Sequence, residues 1–266
     1  MKVMQSIVVL MTMCLSAGTS LADDEVQDSA PASFDAPVWT TGTAMTAQGG
    51  RWEFGIFHPL HWGVTEDVEL STHPILTTLM PHLDAKVSWY AQGGLYIATR
   101  HGLMYPSLLL NLLSKKGALG LLPVNTEVPE GLIIDSDALV TMALAPSHWV
   151  TVEAGLSVAP RGGGDMPVVD FPYMYARFGV LSAPIVLHGG LGFEGSLWGQ
   201  LGYTADIDAW WIPATDGGYA LEHGLSLTWH ISEHVGIAAG YRLSHARYPA
   251  GEQLHILPYA DVLFGL

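Results

Sequence analysis

Strict alternation constrains this chain more than any other feature. In LWGQLGYTADIDAWW (197–211), the odd positions Leu197, Leu201, Tyr203, Ala205, Ile207 and Trp211 are apolar or aromatic. Gln200, Gly202, Thr204, Asp206 and Asp208 hold even positions. A period of two marks a β-strand with chemically different faces. The pattern returns in HVGIAAGYRLSHA, where Val235, Ile237, Ala239, Tyr241 and Leu243 oppose Gly236, Gly240, Arg242 and Ser244. It returns again in WVTVEAGLS, with Val150, Val152, Ala154 and Leu156 against Thr151, Glu153, Gly155 and Ser157. Strand-like segments are expected at 38–46, 51–64, 67–73, 83–91, 94–104, 131–144, 149–159, 182–193, 197–211, 218–229, 234–246 and 252–266. A soluble sandwich alternates too, so the choice of fold rests on composition, connections and aromatic placement.

Charged residues make up only 13% of the chain, against about 25% in ordinary soluble domains, and mean hydropathy is +0.30. The chain opens with Lys2, an apolar run at 7–13 and small residues ending at Ala22, the layout of a secretory signal peptide over 1–22. Beyond it no apolar run reaches the ~18 residues of a helical span. The longest, 103–113, is broken by Pro106, Ser107 and Asn111. An exported, apolar, helix-poor chain points to a closed β-barrel in lipid, where every backbone polar group must be satisfied internally. Residues 23–37, DDEVQDSAPASFDAP, read as a disordered periplasmic leader before a barrel over 38–266. Cys14 is the single cysteine and lies within the expected signal, which excludes a disulfide framework, a thiolate metal site and a cysteine nucleophile from the mature chain. The net charge of −15 excludes electrostatic binding of nucleic acid.

The short turns TED (65–67), AQGG (91–94), APSH (145–148), FEGS (193–196) and ISEH (231–234) alternate with longer connections at 105–130, 160–181, 212–217 and 247–251. That rhythm suits short periplasmic turns and longer extracellular loops. The fold expected is therefore an all-β, transmembrane, antiparallel up-and-down barrel of about 12 strands, with about 10 or about 14 as alternatives. Trp52, Trp62, Trp89, Trp149, Trp198, Trp210, Trp211 and Trp229, with Tyr90, Tyr203, Tyr219 and Tyr241, fall mostly near strand ends, where aromatic girdles would place them.

Two local patterns sharpen this. HWGVTEDVELST (61–72) is a strand ending in Gly-Val-Thr, a tight turn and an outgoing Val-Glu-Leu. The terminal LHILPYADVLFGL carries the outward set Ile256, Ala260, Val262, Phe264 and Leu266. On these, residues 38–266 resemble Gram-negative outer-membrane β-barrel proteins, of the uncharacterised kind and without an assigned subfamily. The resemblance implies outer-membrane lipids and the barrel-assembly machinery as partners. Leu266 stands where the terminal assembly signal ends in an aromatic.

Alternation assigns Glu53, Glu69, Asp84, Asp135, Asp137, Glu153, Asp206, Asp208, Glu222 and Asp261 to the lumen, with only Lys86, Arg100 and Arg242 as basic residues there. Such a lumen favours cations. It also fits a packed polar plug in which the three bases pair the carboxylates. The loop 105–130 is expected to hold a leucine-rich helix from Pro106 through 107–115, either entering the mouth or packing on the rim.

Of twelve histidines, His61, His101, His188, His223, His245 and His255 fall in strands without converging. His58 and His61 meet only if the chain bends at Pro59. No metal or other cofactor is expected. His230 with Ser232 falls in a turn, Ser244 and His245 face opposite ways, and Ser71 with His73 has no orienting partner, so no catalytic residue is assigned. RGGGD (161–165) lacks the strand-to-helix context of a phosphate loop. The reading is a porin-like, cation-favouring channel for small cations or hydrophobic solutes. The alternatives are an occluded structural or surface-binding barrel and, behind it, a lipid-modifying enzyme.

Overall fold

The computed structural model describes residues 39–115, 128, 130–160, 176–213, 218–248 and 251–266. The expected signal (1–22), leader (23–37) and RGGGD loop lie outside the described residues. Twelve strands follow in order: β1 (Trp52–Gly55), β2 (Leu60–Gly63), β3 (Val68–Thr72), β4 (His82–Gln92), β5 (Leu95–Met104), β6 (Ile133–Ala145), β7 (His148–Val158), β8 (Val186–Trp198), β9 (Leu201–Ile212), β10 (Gly218–His230), β11 (Val235–Tyr248) and β12 (Gly251–Gly265). Each pairs antiparallel with its sequence neighbours, and β1 closes on β12 through Glu53↔Gly265, Phe54↔Phe264 and Gly55↔Leu263. The protein is an all-β, closed, up-and-down barrel.

The strands reach this count by a different route from the one the alternation suggests. Of the expected strand 38–46, the described residues 39–46 form no strand. Their backbone donors go to interior side chains instead of a ladder: Thr40 N to Glu53 Oε2 at 3.0 Å, Ala44 N to Thr141 Oγ1 at 2.8 Å and Ala47 N to Glu69 Oε2 at 2.8 Å. The expected strand 51–64 is two short strands, β1 and β2, with a reversal at 56–59. Pro59 cannot donate to a ladder. The Asp261 carboxylate takes the N–H groups of Ile56 and Phe57, at 2.8 and 3.1 Å, at the point of reversal. FEGS (193–196) is no turn either. It lies inside β8, and the chain reverses at Gly199, whose φ of +53° suits glycine.

Outward positions form an apolar belt. Leu83, Leu103, Phe193, Ile207, Leu221, Leu227, Ile237 and Ile256 are all exposed, a surface that suits hydrocarbon better than water. At the end bearing the short turns, Trp52 stacks on Trp62 with ring centroids 5.2 Å apart, and Trp89, Trp198 and Trp229 are exposed. Trp149 and Trp210 leave this girdle. Trp149 is buried edge-on against Tyr96 at 5.7 Å. Trp210 shares the face of His188 and lies under the Arg177 guanidinium at 5.3 Å.

Among the described residues the loop end of the interior is covered and the turn end is partly filled. At the loop end, helix α1 (Ser107–Ser114) contributes Leu110 and Leu113, and the connection before β8 contributes Phe178, Val180 and Leu181. These pack on Ile133, Val186, Ile212, Ala220 and Ala246 at the loop ends of β6 and of β8 to β11. At the turn end, residues 39–47 run through the interior, with Lys86 Nζ donating to the Thr40 and Thr43 carbonyls at 3.1 and 3.3 Å.

Candidate functional site: an acidic interior chamber

Below the loop-end cover and beside segment 39–47 lies a cavity of about 980 Å³ whose lining reaches the short turns at Ser147, Gly199 and Ser232. Asp84, Asp135, Asp137, Glu153, Asp206, Asp208, Glu69 and Asp261 line it, while Glu53 and Glu222 are buried in the wall's inner face. Lys86, Arg100 and Arg242 line it as well. The structure adds four charged residues that alternation did not mark, among them Glu233 at the turn end. Glu194 lines the chamber from β8, Arg177 reaches in from the loop-end cover, and Arg51 stands on Glu53 at 2.9 Å. Glu194 was hidden because its segment was read as a turn. Arg177 gave no periodic signal because it lies outside any strand.

Three groups organise the charge. In the first, Arg100 meets Asp137 at 2.9 Å and Glu153 at 2.7 Å, and His188 Nε2 bonds the other Asp137 oxygen. The register that puts these side chains together is the ladder Lys86↔Arg100↔Asp137↔Gly155↔His188. Gly155 leaves the room: a β-carbon there would run into Asp137 and His188. In the second, Arg242 contacts Asp206 at 3.1 Å, Asp208 at 3.3 Å and Glu222 at 3.0 Å. Arg177 grips Glu222 with both terminal nitrogens, at 2.8 and 3.0 Å, the paired geometry a guanidinium favours. In the third, Glu69 accepts from His61, Lys86, Thr40 and Ala47 and so ties β2, β3 and β4 to the interior segment.

The ligand atoms of Asp137, Glu153 and His188 lie within 4.8 Å of one another, a spacing that a metal ion accepts. Arg100 already bonds both carboxylates and His188 bonds Asp137, so these ligand atoms are engaged with one another without an ion. The chain does bend at Pro59, and the His58 and His61 rings come within 5.7 Å, but both nitrogens turn to Thr41 Oγ1 at 2.6 and 3.1 Å.

The serine–histidine pairs weighed from sequence stay apart. Ser232 caps its own turn by accepting from the His234 and Val235 N–H groups, and His245 packs on Tyr219. One unforeseen pair forms, Ser136 Oγ with His101 Nδ1 at 2.9 Å, across neighbouring strands on the outer face. Among the described residues no carboxylate orients that histidine. The surrounding N–H groups belong to the β5–β6–β7 ladders, so none is free to stabilise an oxyanion.

No protein-family pattern matches this chain, and no characterised protein is similar to it in sequence. Among solved structures, the outer membrane channel DcaP of Acinetobacter baumannii matches 79% of this chain and 62% of its own length, at 10% identity and a TM-score of 0.38. A bacterial polysaccharide outer membrane secretin matches 79% of this chain and 68% of its own, at 9% identity and a TM-score of 0.45. OccAB2 of Acinetobacter baumannii matches 83% of this chain and 56% of its own, at 7% identity and a TM-score of 0.40. The chain thus spans less than two thirds of DcaP and of OccAB2.

Proposed function

We propose that this chain is an outer-membrane, porin-like β-barrel whose acidic interior favours cations, narrowed at its loop end by the apolar cover and at its turn end by segment 39–47. The carrying observation is the charge balance of the chamber. Among the described residues, twelve carboxylates (the ten expected from alternation, Glu194 and, at the turn end, Glu233) face five bases: Arg51, Lys86, Arg100, Arg177 and Arg242. Low-dielectric walls focus such a field, so small cations concentrate and anions are repelled. The exposed apolar belt supports a membrane setting, and the short turns fit the periplasmic side. Segment 39–47 and the apolar cover at the loop end favour the second reading, a fully occluded barrel, as far as the axis is concerned.

Planar-bilayer recordings under a KCl gradient separate the two. The wild type should pass a small, cation-selective current that grows when residues 39–47 are deleted. Asp206→Asn with Asp208→Asn should lower the selectivity. Anion selectivity overturns the proposal. So does silence of both wild type and deletion variant, provided that unboiled gel migration shows them folded.

A further inference from the structure

The barrel wall has no even height. β1 and β2 have four residues each and β3 has five, whereas β12 has fifteen. At ~3.3 Å per residue and a tilt of about 40°, a four-residue strand climbs only about 10 Å of a ~25 Å apolar belt. The rim at the loop end explains why. Neighbouring strands stop within two rungs of one hydrogen-bond ladder: Leu60↔Thr72, His82↔Met104, Met104↔Ile133, Ile212↔Gly218 and Tyr248↔Gly251. Strands in a barrel are tilted, so a rim that follows a ladder climbs as it goes round. It returns to its start at the wrong height, and the whole step falls where β12 meets β1.

The last pair across that seam on its loop side is Gly55↔Leu263, and from Ile256 to Val262 β12 is laddered to β11 alone. Both faces of this stretch are open among the described residues. Leu257 and Tyr259 face inward, opposite Arg242 and Gly240, yet they are 50% and 36% exposed. The rim of the gap is apolar. Ile56 and Phe57 form its sill, Ile75, Leu76 and Leu79 its far side, and Leu254 and Ile256 the outer face of β12; all are exposed. Directly behind it lies the chamber, whose lining includes His58, Pro59, Tyr259 and Asp261.

We infer that the chamber is reached from the side: the gap between β12 and β1–β3 admits a membrane-dissolved amphiphile with an apolar tail and a cationic headgroup. The loop end is covered and segment 39–47 fills part of the turn end, while this side gives the chamber an apolar opening at the depth of the acyl chains. The tail lies along the apolar rim and the headgroup among the carboxylates. A pairing strand from another protein fits the gap less well, because Pro258 offers no N–H and the opening leads into a cavity. The headgroup charge rests on the acidic-chamber reading above; the route does not.

The test uses folded full-length protein in phosphatidylcholine vesicles with three photoreactive probes, all carrying a diazirine. They are a dodecyltrimethylammonium, the same tail bearing a sulfate, and a quaternary ammonium without a tail. The ammonium amphiphile should label Leu257 and Tyr259 at least about fivefold more than the sulfate does, and the tail-less probe should not label them. Labelling confined to outward Leu254 and Ile256, or equal inward labelling by the tail-less probe, overturns the side route. Equal inward labelling by both amphiphiles overturns the charge preference, and with it the reading of the chamber, while the route stands. Leu257→Cys bearing a bulky maleimide should abolish labelling of Tyr259 in protein that unboiled gel migration shows to be folded. Labelling of Tyr259 that survives the maleimide overturns the route even if the protein is folded.

Discussion

Glu69→Gln changes one oxygen to an amide nitrogen in a side chain that is 2% exposed. Oε1 holds His61 Nδ1 at 2.8 Å and Lys86 Nζ at 3.1 Å, while Oε2 holds the Thr40 hydroxyl at 2.7 Å and the Ala47 N–H at 2.8 Å. Lys86 and Ala47 can only donate, and an amide offers an oxygen to just one side. The ammonium commands the oxygen, because hydrogen bonds to charged groups are worth about 1.5–3 kcal/mol against about 1 for neutral ones. The Thr40 hydroxyl can rotate to accept from the amide. The Ala47 N–H cannot, and is left facing a donor. Segment 39–47 therefore loosens by about 1.4 kcal/mol, tenfold in its open population. The assay is maleimide labelling of Ala44→Cys in a Cys14→Ser background, since Ala44 is 0% exposed. Glu69→Gln should speed labelling about tenfold. Glu69→Ala removes both sides and leaves Lys86 buried without its counter-charge, so it should also cost the barrel about 3–5 kcal/mol in urea unfolding. Wild-type labelling and an unchanged unfolding midpoint in Glu69→Gln would show that Glu69 does not hold the segment, and the reasoning would fail.

Gly155→Ala should destabilise the barrel by about 1–3 kcal/mol in urea titrations, because the added methyl displaces Asp137 from His188. Gly192→Ala, whose β-carbon would meet only Thr151 at 3.9 Å, is the near-neutral control. Asp261→Ala removes the acceptor for the Ile56 and Phe57 N–H groups, so hydrogen exchange at those two amides should accelerate while β9–β11 keep their protection. Arg242→Gln uncovers Asp206 and Asp208 while Arg177 still holds Glu222; reversal potentials should move further toward cation selectivity.

What was legible in the sequence was whatever depends on side-chain parity within one strand. Ile207 and Trp211 point out and Asp206 and Asp208 point in because a period of two admits no other arrangement, whatever those aspartates bind. What was illegible depends on where a strand's partner is. Residues 39–47 alternate as a strand does, but Glu53, Glu69 and Thr141 offer acceptors inside the barrel, and no local pattern distinguishes those from a ladder. Trp149 and Trp210 misled for the opposite reason. They sit near strand ends as girdle residues do, yet their parity turns them inward, so parity outranked position.

The gap at the β12–β1 seam belongs to a third kind of property, one carried by no residue. It follows from twelve strand lengths taken together with the direction of the ladder. A chain can keep perfect alternation in every strand and still close into a wall with a step, because alternation fixes which way a side chain faces and leaves the height of the rim free. The one local trace is in β12 itself, where Leu257 and Tyr259 place apolar surface on the inner face beside Arg242. In a wall paired on both sides they would crowd a polar lumen. At an open seam they give an apolar tail continuous surface from the lipid to the carboxylates. The same aspartates that define the polar face of GYTADIDAWW, Asp206 and Asp208, then meet the chamber with Arg242 already between them. Any cation that arrives must share that arginine's partners, which suits a bulky, weakly hydrated headgroup better than a small metal ion.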